Sequence, residues 1–214
     1  MEFKTKLLIL GAGGHGHVVA ESVTAAKPSI EIVFLDDRKN EHDSLWPIIG
    51  TFKMCFDIGI QNLYSHAVCG IGDSKSRIQW NKELHEIGYN IPKIIHPHAW
   101  VSPSASIGRG TLIGAGVIVN ARSIIGDSVI LNTSCSVDHD CRIGDGVHVA
   151  PGAHLAGGVD IQRNTFIGTG SSIIPNIVIG ANVTVGAGTV VIDNIPDNVT
   201  AIGTPAKIKS SRQR

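Results

Sequence analysis

Aromatic and charged side chains are scarce in this sequence of 214 residues. Aromatic residues make up 5% of the chain and charged residues 17%, and the formal net charge at pH 7 is zero. Such a chain lacks the excess of positive charge that attracts nucleic acid or an anionic membrane surface. No apolar run approaches the roughly 18 residues that a membrane-spanning helix needs. We therefore expect no nucleic-acid partner and no membrane insertion.

Cysteines are also few, and they lack the spacing of the common zinc motifs. The chain has four, Cys55, Cys69, Cys135 and Cys141, and no two of them form a C-x-x-C pair. The first residues include a short apolar stretch but no small-residue cleavage site, so we expect no signal peptide. Unpaired thiols without a secretory signal are typical of a reducing compartment, and we expect a cytoplasmic protein.

A six-residue repeat dominates the second half of the chain. Every sixth residue from Val101 to Val191 is Val, Ile or Leu, without exception. A fixed short period is typical of a solenoid, in which each repeat buries its apolar side chains by stacking on its neighbours. Three hexads per coil predict a parallel β-helix of about five coils. A β-sandwich needs loops of variable length, and the unbroken period disfavours it.

Two other positions of the hexad are also regular. The residue after the apolar one is often Gly or Asn, as at Gly108 and Asn132, and we expect the positive φ of a sharp bend there. The residue four after the apolar one is small or β-branched, as at Thr111, Val129 and Cys135. One large and one small inward side chain per hexad suit a narrow prism.

The N-terminal residues, 1–95, predict a separate α/β domain. Strand and helix patterns alternate in an order that implies a small parallel sheet with right-handed crossovers. The domain has about the size of one mononucleotide-binding half of a doubly wound fold, so we expect a half-Rossmann domain, followed by the β-helix over 96–214. The predicted strands are 5–10, 31–35 and 67–71, and the predicted helices are about 17–26 and 74–86.

A glycine-rich loop follows the first predicted strand. Gly11, Gly13 and Gly16 satisfy G-x-G-x-x-G before a helix, and Asp36 and Asp37 follow about 20 residues later. Interpreted literally, this pattern predicts a dinucleotide-binding sensor or oxidoreductase. A half-domain is better suited to a nucleotide-bearing substrate, with phosphates near the glycines and a sugar hydroxyl or base near the two acids. Tight strand–helix packing alone is the remaining alternative.

One histidine of the repeat has the neighbours of a general base. His139 lies between Asp138 and Asp140, which interrupt the hexad consensus. A carboxylate beside an imidazole raises its basicity and fixes its tautomer. Asp140 can reach the ring only if a corner separates the two residues, and Asp138 is the other candidate. One coil further on stands Gly157, which we expect to leave an open notch beside the imidazole.

Zinc is the alternative use of histidines on such a prism. The gamma-class carbonic anhydrases, which resemble this chain in repeat type, hold Zn²⁺ between subunits with an open coordination position. His148 and His154 follow His139 in the repeat, at spacings that place them on different faces of one chain. They do not converge, so we expect no metal site, and a zinc hydratase is the least favoured function.

The chain as a whole resembles one family of sugar acetyltransferases. The repeat is similar to the left-handed parallel β-helix of the hexapeptide-repeat acyltransferases, which are typically trimers with active sites between neighbouring prisms. Further motifs narrow the resemblance to the sialic-acid O-acetyltransferase and bacillosamine N-acetyltransferase family. They are Gly11–Gly16, Leu35–Asp37, Gly70–Asp73, Ile95–Pro97, Asn132, Val137–Cys141 and Gly203–Lys207.

This resemblance implies an acetyl-CoA-dependent N-acetyltransferase that acts on the C4 amine of a nucleotide-linked amino-dideoxysugar. It makes His139 the general base, Asp140 the acid that raises its basicity, and the transfer direct. A sialic-acid-type sugar O-acetyltransferase is the second possibility. The resemblance also implies a homotrimer, a cytoplasmic location and a role in assembling lipopolysaccharide or another surface glycan.

The resemblance assigns further residues to the two substrates. Acetyl-CoA is expected at His148, Gly157, Thr169 and Ala187, and the nucleotide-sugar at Gly13, Gly14, His15, Asp36, Asp37, Gly72, Lys75 and Asn132. The bacillosamine enzymes differ at three of these positions, with Glu for Asp140, Gly for Ala187 and an acidic residue for Lys75. The basic C-terminal tail is expected to be solvated, with contact to the phosphates of CoA as the alternative; its basic residues are Lys207, Lys209, Arg212 and Arg214.

Overall fold

Two units make up the chain, Met1–Pro97 and His98–Arg214. The computed structural model describes residues 6–38 and 44–209. The last residues of the basic tail, including Arg212 and Arg214, lie outside the described residues, as does Thr5 of the first predicted strand. Within the described ranges, no helix is long and apolar enough to cross a membrane.

The first unit contains a four-stranded parallel sheet. In order across the sheet, its strands are β3 (Ile48–Gly50), β2 (Glu31–Leu35), β1 (Lys6–Leu10) and β4 (His66–Cys69), and β1 pairs with both β2 and β4. Leu8 and Leu10 of β1 pack with Leu84 of the last helix in one core cluster. The elements are β1 (Lys6–Leu10), α1 (Gly14–Ala26), β2 (Glu31–Leu35), β3 (Ile48–Gly50), a 3-10 turn (Phe52–Phe56), α2 (Ile58–Leu63), β4 (His66–Cys69), α3 (Ser74–Glu86) and β5 (Ile94–Ile95).

Some element boundaries in this unit differ from the prediction. The first helix begins at Gly14, directly after the glycine loop, and not at residue 17. The strand predicted over 67–71 ends at Cys69, because Gly70–Gly72 form a loop at its carboxyl end. The strand β3 and the helix α2 were not predicted, since both are short and neither contains a fully buried residue.

The second unit is a prism of stacked short strands. Sixteen two-residue strands, β6 to β21, each end on the apolar residue of a hexad. They are β6 (Trp100–Val101), β7 (Ser106–Ile107), β8 (Leu112–Ile113), β9 (Ile118–Val119), β10 (Ile124–Ile125), β11 (Ile130–Leu131), β12 (Ser136–Val137), β13 (Arg142–Ile143), β14 (His148–Val149), β15 (His154–Leu155), β16 (Asp160–Ile161), β17 (Phe166–Ile167), β18 (Ser172–Ile173), β19 (Val178–Ile179), β20 (Thr184–Val185) and β21 (Val190–Val191), followed by β22 (Thr200–Ile202) and β23 (Lys207–Lys209).

These strands form three parallel sheets, one on each face of the prism. Each strand pairs with the strand one coil away, as Leu131 does with Val149. The three sheets run β6-β9-β12-β15-β18-β21, β7-β10-β13-β16-β19, and β8-β11-β14-β17-β20-β22, where β23 adds antiparallel to β22. The predicted architecture, a parallel β-helix after an α/β domain, is confirmed.

The interior of the prism is filled as the hexad predicts. Val119 and Ser123 are both fully buried, and the same holds for the equivalent positions of most other hexads. The small polar residues inside are satisfied by the next coil: the Ser123 hydroxyl donates to the carbonyl of Asp138 at 2.6 Å, and that of Thr165 to Gly180 at 2.7 Å. Paired in this way, a buried hydroxyl costs the core little.

The predicted site of the positive φ is wrong by two residues. Positive φ falls three residues after the apolar position, as at Gly110 (φ 65°) and Asn164 (φ 59°), and not directly after it. The glycine directly after the apolar residue serves close packing between coils. At Gly144, for example, a Cβ would lie 2.7 Å from the amide nitrogen of Arg163.

Candidate active site

A corner of the prism brings His139 and Asp140 together. Asp140 has the left-handed φ of 61° and forms the corner between β12 and β13. His139 Nδ1 lies 2.8 Å from Asp140 Oδ2. Asp138 serves the backbone instead, because its Oδ1 accepts from the N–H of His139 at 2.8 Å and from the amide of Asn120 at 3.0 Å. The structure thus places Asp140, and not Asp138, against the ring.

This contact determines the tautomer of the imidazole. Hydrogen bonds from Arg122 and from His139 hold the pKa of the Asp140 carboxyl well below its ordinary value. An ionised carboxylate can only accept hydrogen bonds, so Nδ1 of His139 must carry the proton. In the neutral ring, Nε2 then keeps its lone pair, and the His139 side chain is 57% exposed.

Gly157 provides the room in which the imidazole lies. A Cβ at this position would lie 2.6 Å from Cε1 and 2.7 Å from Nε2 of His139. The space that we expected to form an open notch beside the ring is therefore occupied by the ring itself. Any side chain at Gly157 would displace it.

Arg122 is the residue of this site that sequence reasoning missed. It lies one coil before Asp140, and its guanidinium binds both carboxylate oxygens: Nε to Oδ1 at 2.7 Å and Nη2 to Oδ2 at 2.8 Å. The signal was present in the sequence, since residues 18 apart stack on adjacent coils and these two carry opposite charges. The fold was needed to show that the Arg122 side chain reaches the acid that holds His139.

Of the four residues expected to bind acetyl-CoA, Gly157 lies at the His139 ring, and the other three lie along another part of the prism. His148, on β14, has Nε2 3.3 Å from the Asn132 amide nitrogen and meets Phe166 edge-on, with ring centroids 5.1 Å apart. Thr169 and Ala187 are both exposed and stack on adjacent coils, where the N–H of Gly188 donates to the Thr169 carbonyl at 2.8 Å. Together these side chains line one sheet and the corner that follows it.

The third histidine of the repeat is used differently. His154 Nδ1 lies 2.9 Å from the Ser136 hydroxyl on the neighbouring strand.

Across residues 6–38 and 44–209, no three His, Cys, Asp or Glu side chains converge as a metal ion would require.

A cleft in the first unit brings together most of the residues expected to bind the nucleotide-sugar. It has a volume of about 450 Å³ and lies where β1, β2 and β4 end. Lys75 does not line it: this residue is exposed in the first turn of α3, and Asn132 belongs to the second unit. The cleft is lined by Gly11, Gly13, Gly14, His15, Asp36, Asp37, Arg38, Phe52, Gly70, Ile71 and Gly72.

The glycines of the loop divide into two roles. A Cβ at Gly16 would overlap the carbonyl oxygen of Gly11, so this glycine permits tight packing of helix on strand. Around Gly14, by contrast, no atom lies within 4 Å of the position of a Cβ. Gly14 begins α1, and a helix start with exposed N–H groups suits an anion such as a phosphate.

Asp36 is largely occupied by the protein itself. Its carboxylate is buried and accepts from the Ala12 N–H at 2.7 Å, from the Arg38 N–H at 2.8 Å and from the Arg38 guanidinium. Burial raises its pKa, but the hydrogen bonds from Arg38 and Ala12 outweigh burial and leave the pKa lowered. Asp36 therefore orders the glycine loop. Asp37 and Arg38 also line the cleft, and both are exposed.

A buried arginine supports the other wall of the cleft. Arg77 of α3 donates to the carbonyls of Ile71 at 3.2 Å and Gly72 at 2.6 Å. Burial lowers its pKa to about 10, which leaves it charged at neutral pH. The sequence offered no signal for this role, because an arginine in a polar helix is usually solvated.

Two known protein families match this chain, one in each of its two units. The family described as the PglD N-terminal domain matches residues 6–84. The family described as bacterial transferase hexapeptide (six repeats) matches residues 122–157 and 158–193. The chain belongs to the hexapeptide-repeat acyltransferases with a PglD N-terminal domain. The left-handed β-helix and the acyltransferase class predicted from the sequence are thereby confirmed.

Solved members of this acyltransferase family match over nearly the full chain. The acetyltransferase domain of PglB from Neisseria gonorrhoeae FA1090 is 41% identical, with a TM-score of 0.90, and the match covers 95% of this chain and 99% of that one. PerB from Caulobacter crescentus, solved with CoA and GDP-perosamine, is 40% identical with a TM-score of 0.88, covering 96% and 97%. The acetyltransferase-like protein YJL218W of Saccharomyces cerevisiae is 46% identical over 50 residues, so the chain matches only 26% of that relative's length.

Proposed function

We propose that the protein is an acetyl-CoA-dependent N-acetyltransferase that acetylates the C4 amino group of a nucleotide-linked amino-dideoxysugar. The observation that carries the proposal is the 2.8 Å contact between His139 and Asp140, which leaves Nε2 as an accessible base. The relatives support the substrate class, because PerB was solved with CoA and GDP-perosamine and the PglB domain with acetyl-CoA.

In the proposed reaction, His139 acts as general base in a direct transfer. The neutral sugar amine attacks the thioester carbonyl, the C–N bond forms, and Nε2 of His139 takes the amine proton. The C–S bond then breaks, and the proton passes from Nε2 to the leaving thiolate. Asp140 stabilises the imidazolium while it carries that proton. Much of the acceleration comes from holding two large substrates in line.

We assign recognition of the nucleotide-sugar to residues 1–95 and acetyl transfer to residues 96–214. The N–H groups at the start of α1 suit the phosphates, and Asp37 suits a polar group of the base or ribose, while the guanidinium of Arg38 is bound to Asp36. The prism residues His148, Gly157, Thr169 and Ala187, with Asn132 beside His148, are assigned to acetyl-CoA and the reacting sugar. Lys75 has the weakest support of the expected contacts, since it does not line the cleft.

The cellular setting is proposed from the family resemblance. We propose a homotrimer with active sites between neighbouring prisms, acting in the cytoplasm on a precursor of lipopolysaccharide or another surface glycan. A monomer in sedimentation at assay concentration would contradict the shared site.

The test is to mix the purified protein with acetyl-CoA and UDP-, dTDP- and GDP-linked 4-amino sugars, and to follow CoA release. We expect release with one nucleotide class, loss of release in His139→Ala, and retention in His154→Ala, which removes another exposed histidine of the prism. Sialic acid and the matching 4-hydroxy sugars test O-acetylation, and a titration with NAD(H) tests the dinucleotide alternative. No release with any amine, or equal rates in His139→Ala and wild type, would refute the proposal.

A further inference from the structure

We propose that Arg122 is a positioning residue of the acetyl-transfer site, which holds the Asp140 carboxylate so that one oxygen faces His139. This inference rests on the proposed function for its kinetic consequences, but its geometry is independent of the substrate. Arg122 is 67% exposed and touches Asp140 through two donors, so it acts on the base through the acid.

The Asp140 carboxylate has few other restraints. It stands at a left-handed corner, and its side chain is 43% exposed. Among residues 6–38 and 44–209, the hydrogen bonds of its carboxylate come from the His139 ring and from Arg122. A carboxylate with a single hydrogen bond on an exposed corner can rotate about χ1 and χ2. The planar guanidinium fork binds both oxygens at once and removes this freedom.

Arg122 also determines which carboxylate oxygen faces the histidine. Nε of Arg122 binds Oδ1, while Nη2 binds Oδ2, the oxygen that accepts from His139 Nδ1. Oδ2 therefore receives two donors, one from Arg122 and one from His139. Loss of Arg122 leaves the carboxylate free to rotate away from the ring. The imidazole can then take up the other tautomer, in which Nε2 carries a proton and cannot act as base.

The prism contains a matched pair that is not part of the site. Arg109 and Asp127 have the same 18-residue spacing, and Nη2 of Arg109 lies 3.3 Å from Oδ2 of Asp127. This pair has comparable exposure, and no histidine is bonded to its carboxylate in the hydrogen bonds of the described residues. Arg109→Met thus removes a surface ion pair of the same spacing, although one with a single guanidinium contact, and serves as the control.

The kinetic test compares Arg122→Met, Arg122→Lys, Asp140→Asn and the double variant Arg122→Met/Asp140→Asn with wild type. We expect Arg122→Met to lower kcat about tenfold with little change in either KM, because the bound substrates are unaffected while the base is misaligned. Arg122→Lys should recover part of kcat. In the Asp140→Asn background, Arg122→Met should have no further effect, since its target is gone.

Several outcomes of these assays would overturn the inference. An equal loss of kcat from Arg122→Met in both backgrounds would show that Arg122 does not act through Asp140. A raised KM with unchanged kcat would indicate direct substrate contact, and an equal loss in Arg109→Met would indicate a general surface effect. Melting temperatures measured on all variants identify any that fail to fold, and Arg122→Lys then takes the place of Arg122→Met.

A measurement that needs no turnover separates this inference from the proposed function. In protein with ¹⁵N-labelled histidine, we expect His139, assigned with His139→Ala, to show the Nδ1-protonated tautomer in wild type and in Arg109→Met. In Arg122→Met we expect a mixture of tautomers. An unchanged tautomer in Arg122→Met would refute the positioning role. A changed tautomer in a protein without transferase activity would refute the proposed function alone.

Discussion

The imidazole of His139 lies directly over Gly157, where a Cβ would lie 2.6 Å from the ring. A glycine one coil away from the proposed base is thus part of the site, although it contributes no side chain. Its φ lies outside the left-handed region, so alanine can adopt the backbone conformation. The clash from alanine would move only the end of a flexible side chain.

Gly157→Ala should therefore inactivate the enzyme without unfolding it. The added methyl group rotates the imidazole away from its position, and we expect kcat to fall about 10²-fold with little change in melting temperature. Steady-state kinetics and thermal unfolding measure the two effects. An unchanged kcat in Gly157→Ala, or a large fall in its melting temperature, would contradict this explanation.

Asp140→Asn and Asp138→Asn should differ sharply, although the two acids flank the same histidine. In Asp140→Asn the new side-chain amide would donate to Nδ1 of His139 and favour the wrong tautomer, so we expect kcat to fall by about 10²–10⁴. Asp138→Asn keeps a side-chain carbonyl oxygen for the His139 N–H, and we expect less than about a threefold change. A comparable loss of kcat in both variants would show that the ring partner is misassigned.

Asp140 should stay ionised at pH values at which an ordinary aspartate becomes protonated. Its pKa is lowered by Arg122 and His139, while an unfolded Asp titrates near 3.9. The ionised pair therefore adds stability above that pH, and its contribution is lost only as the pH falls through the lower folded-state value. The ¹³C shift of the Asp140 carboxyl should stay constant down to about pH 4. In Arg122→Met its titration should move upward, and no movement would argue against the ion pair.

Removal of Arg77 should weaken both the first unit and its cleft. Arg77→Met leaves the carbonyls of Ile71 and Gly72 without their donors, which should cost about 1–3 kcal/mol in urea unfolding. Because Gly72 lines the cleft, KM for the nucleotide-sugar should rise while KM for acetyl-CoA stays constant. Arg142→Met, an exposed change on a prism strand, is the control. A rise in both KM values would indicate a general loss of structure.

The buried cysteines should be dispensable for transfer. Burial raises the pKa of Cys135 to about 12, and the pKa of Cys141 is raised for the same reason, so neither forms a thiolate nucleophile readily. Cys135→Ala and Cys141→Ala should each keep kcat within about twofold of wild type. Mass spectrometry after mixing with acetyl-CoA alone should find no acetylated cysteine, and its detection would refute direct transfer.

The prism was predictable because its packing is periodic. Residues such as Val119 and Ser123 are buried by position in the hexad, and that position can be counted along the chain. The His139–Asp140 pair needed one further condition, a corner between neighbours, which the φ of Asp140 meets. A positive φ and close packing between coils both favour glycine, so the presence of a glycine does not show which of the two requires it. For this reason the positive φ was predicted directly after the apolar residue, where close packing is the actual cause.

What sequence reasoning could not supply are contacts that depend on the reach of long side chains. Arg122 could bind Asp140 or point into solvent, and Arg38 could bind Asp36 or a ligand. The fold decides both in favour of the protein's own acids. The same holds for Arg77, whose burial depends on how α3 packs beside a loop and not on the pattern of the helix itself.

The separation of 18 residues between Arg122 and Asp140 has a consequence for how this chain can change in length. Insertion or deletion of one hexad between them would keep every apolar residue facing inward, and the core would tolerate it. The same insertion or deletion would move His139 and Asp140 to a different face of the prism. They would then no longer lie beside Arg122, which precedes the change and keeps its place. Folding therefore accepts length changes in steps of six, whereas the site accepts them only in whole coils.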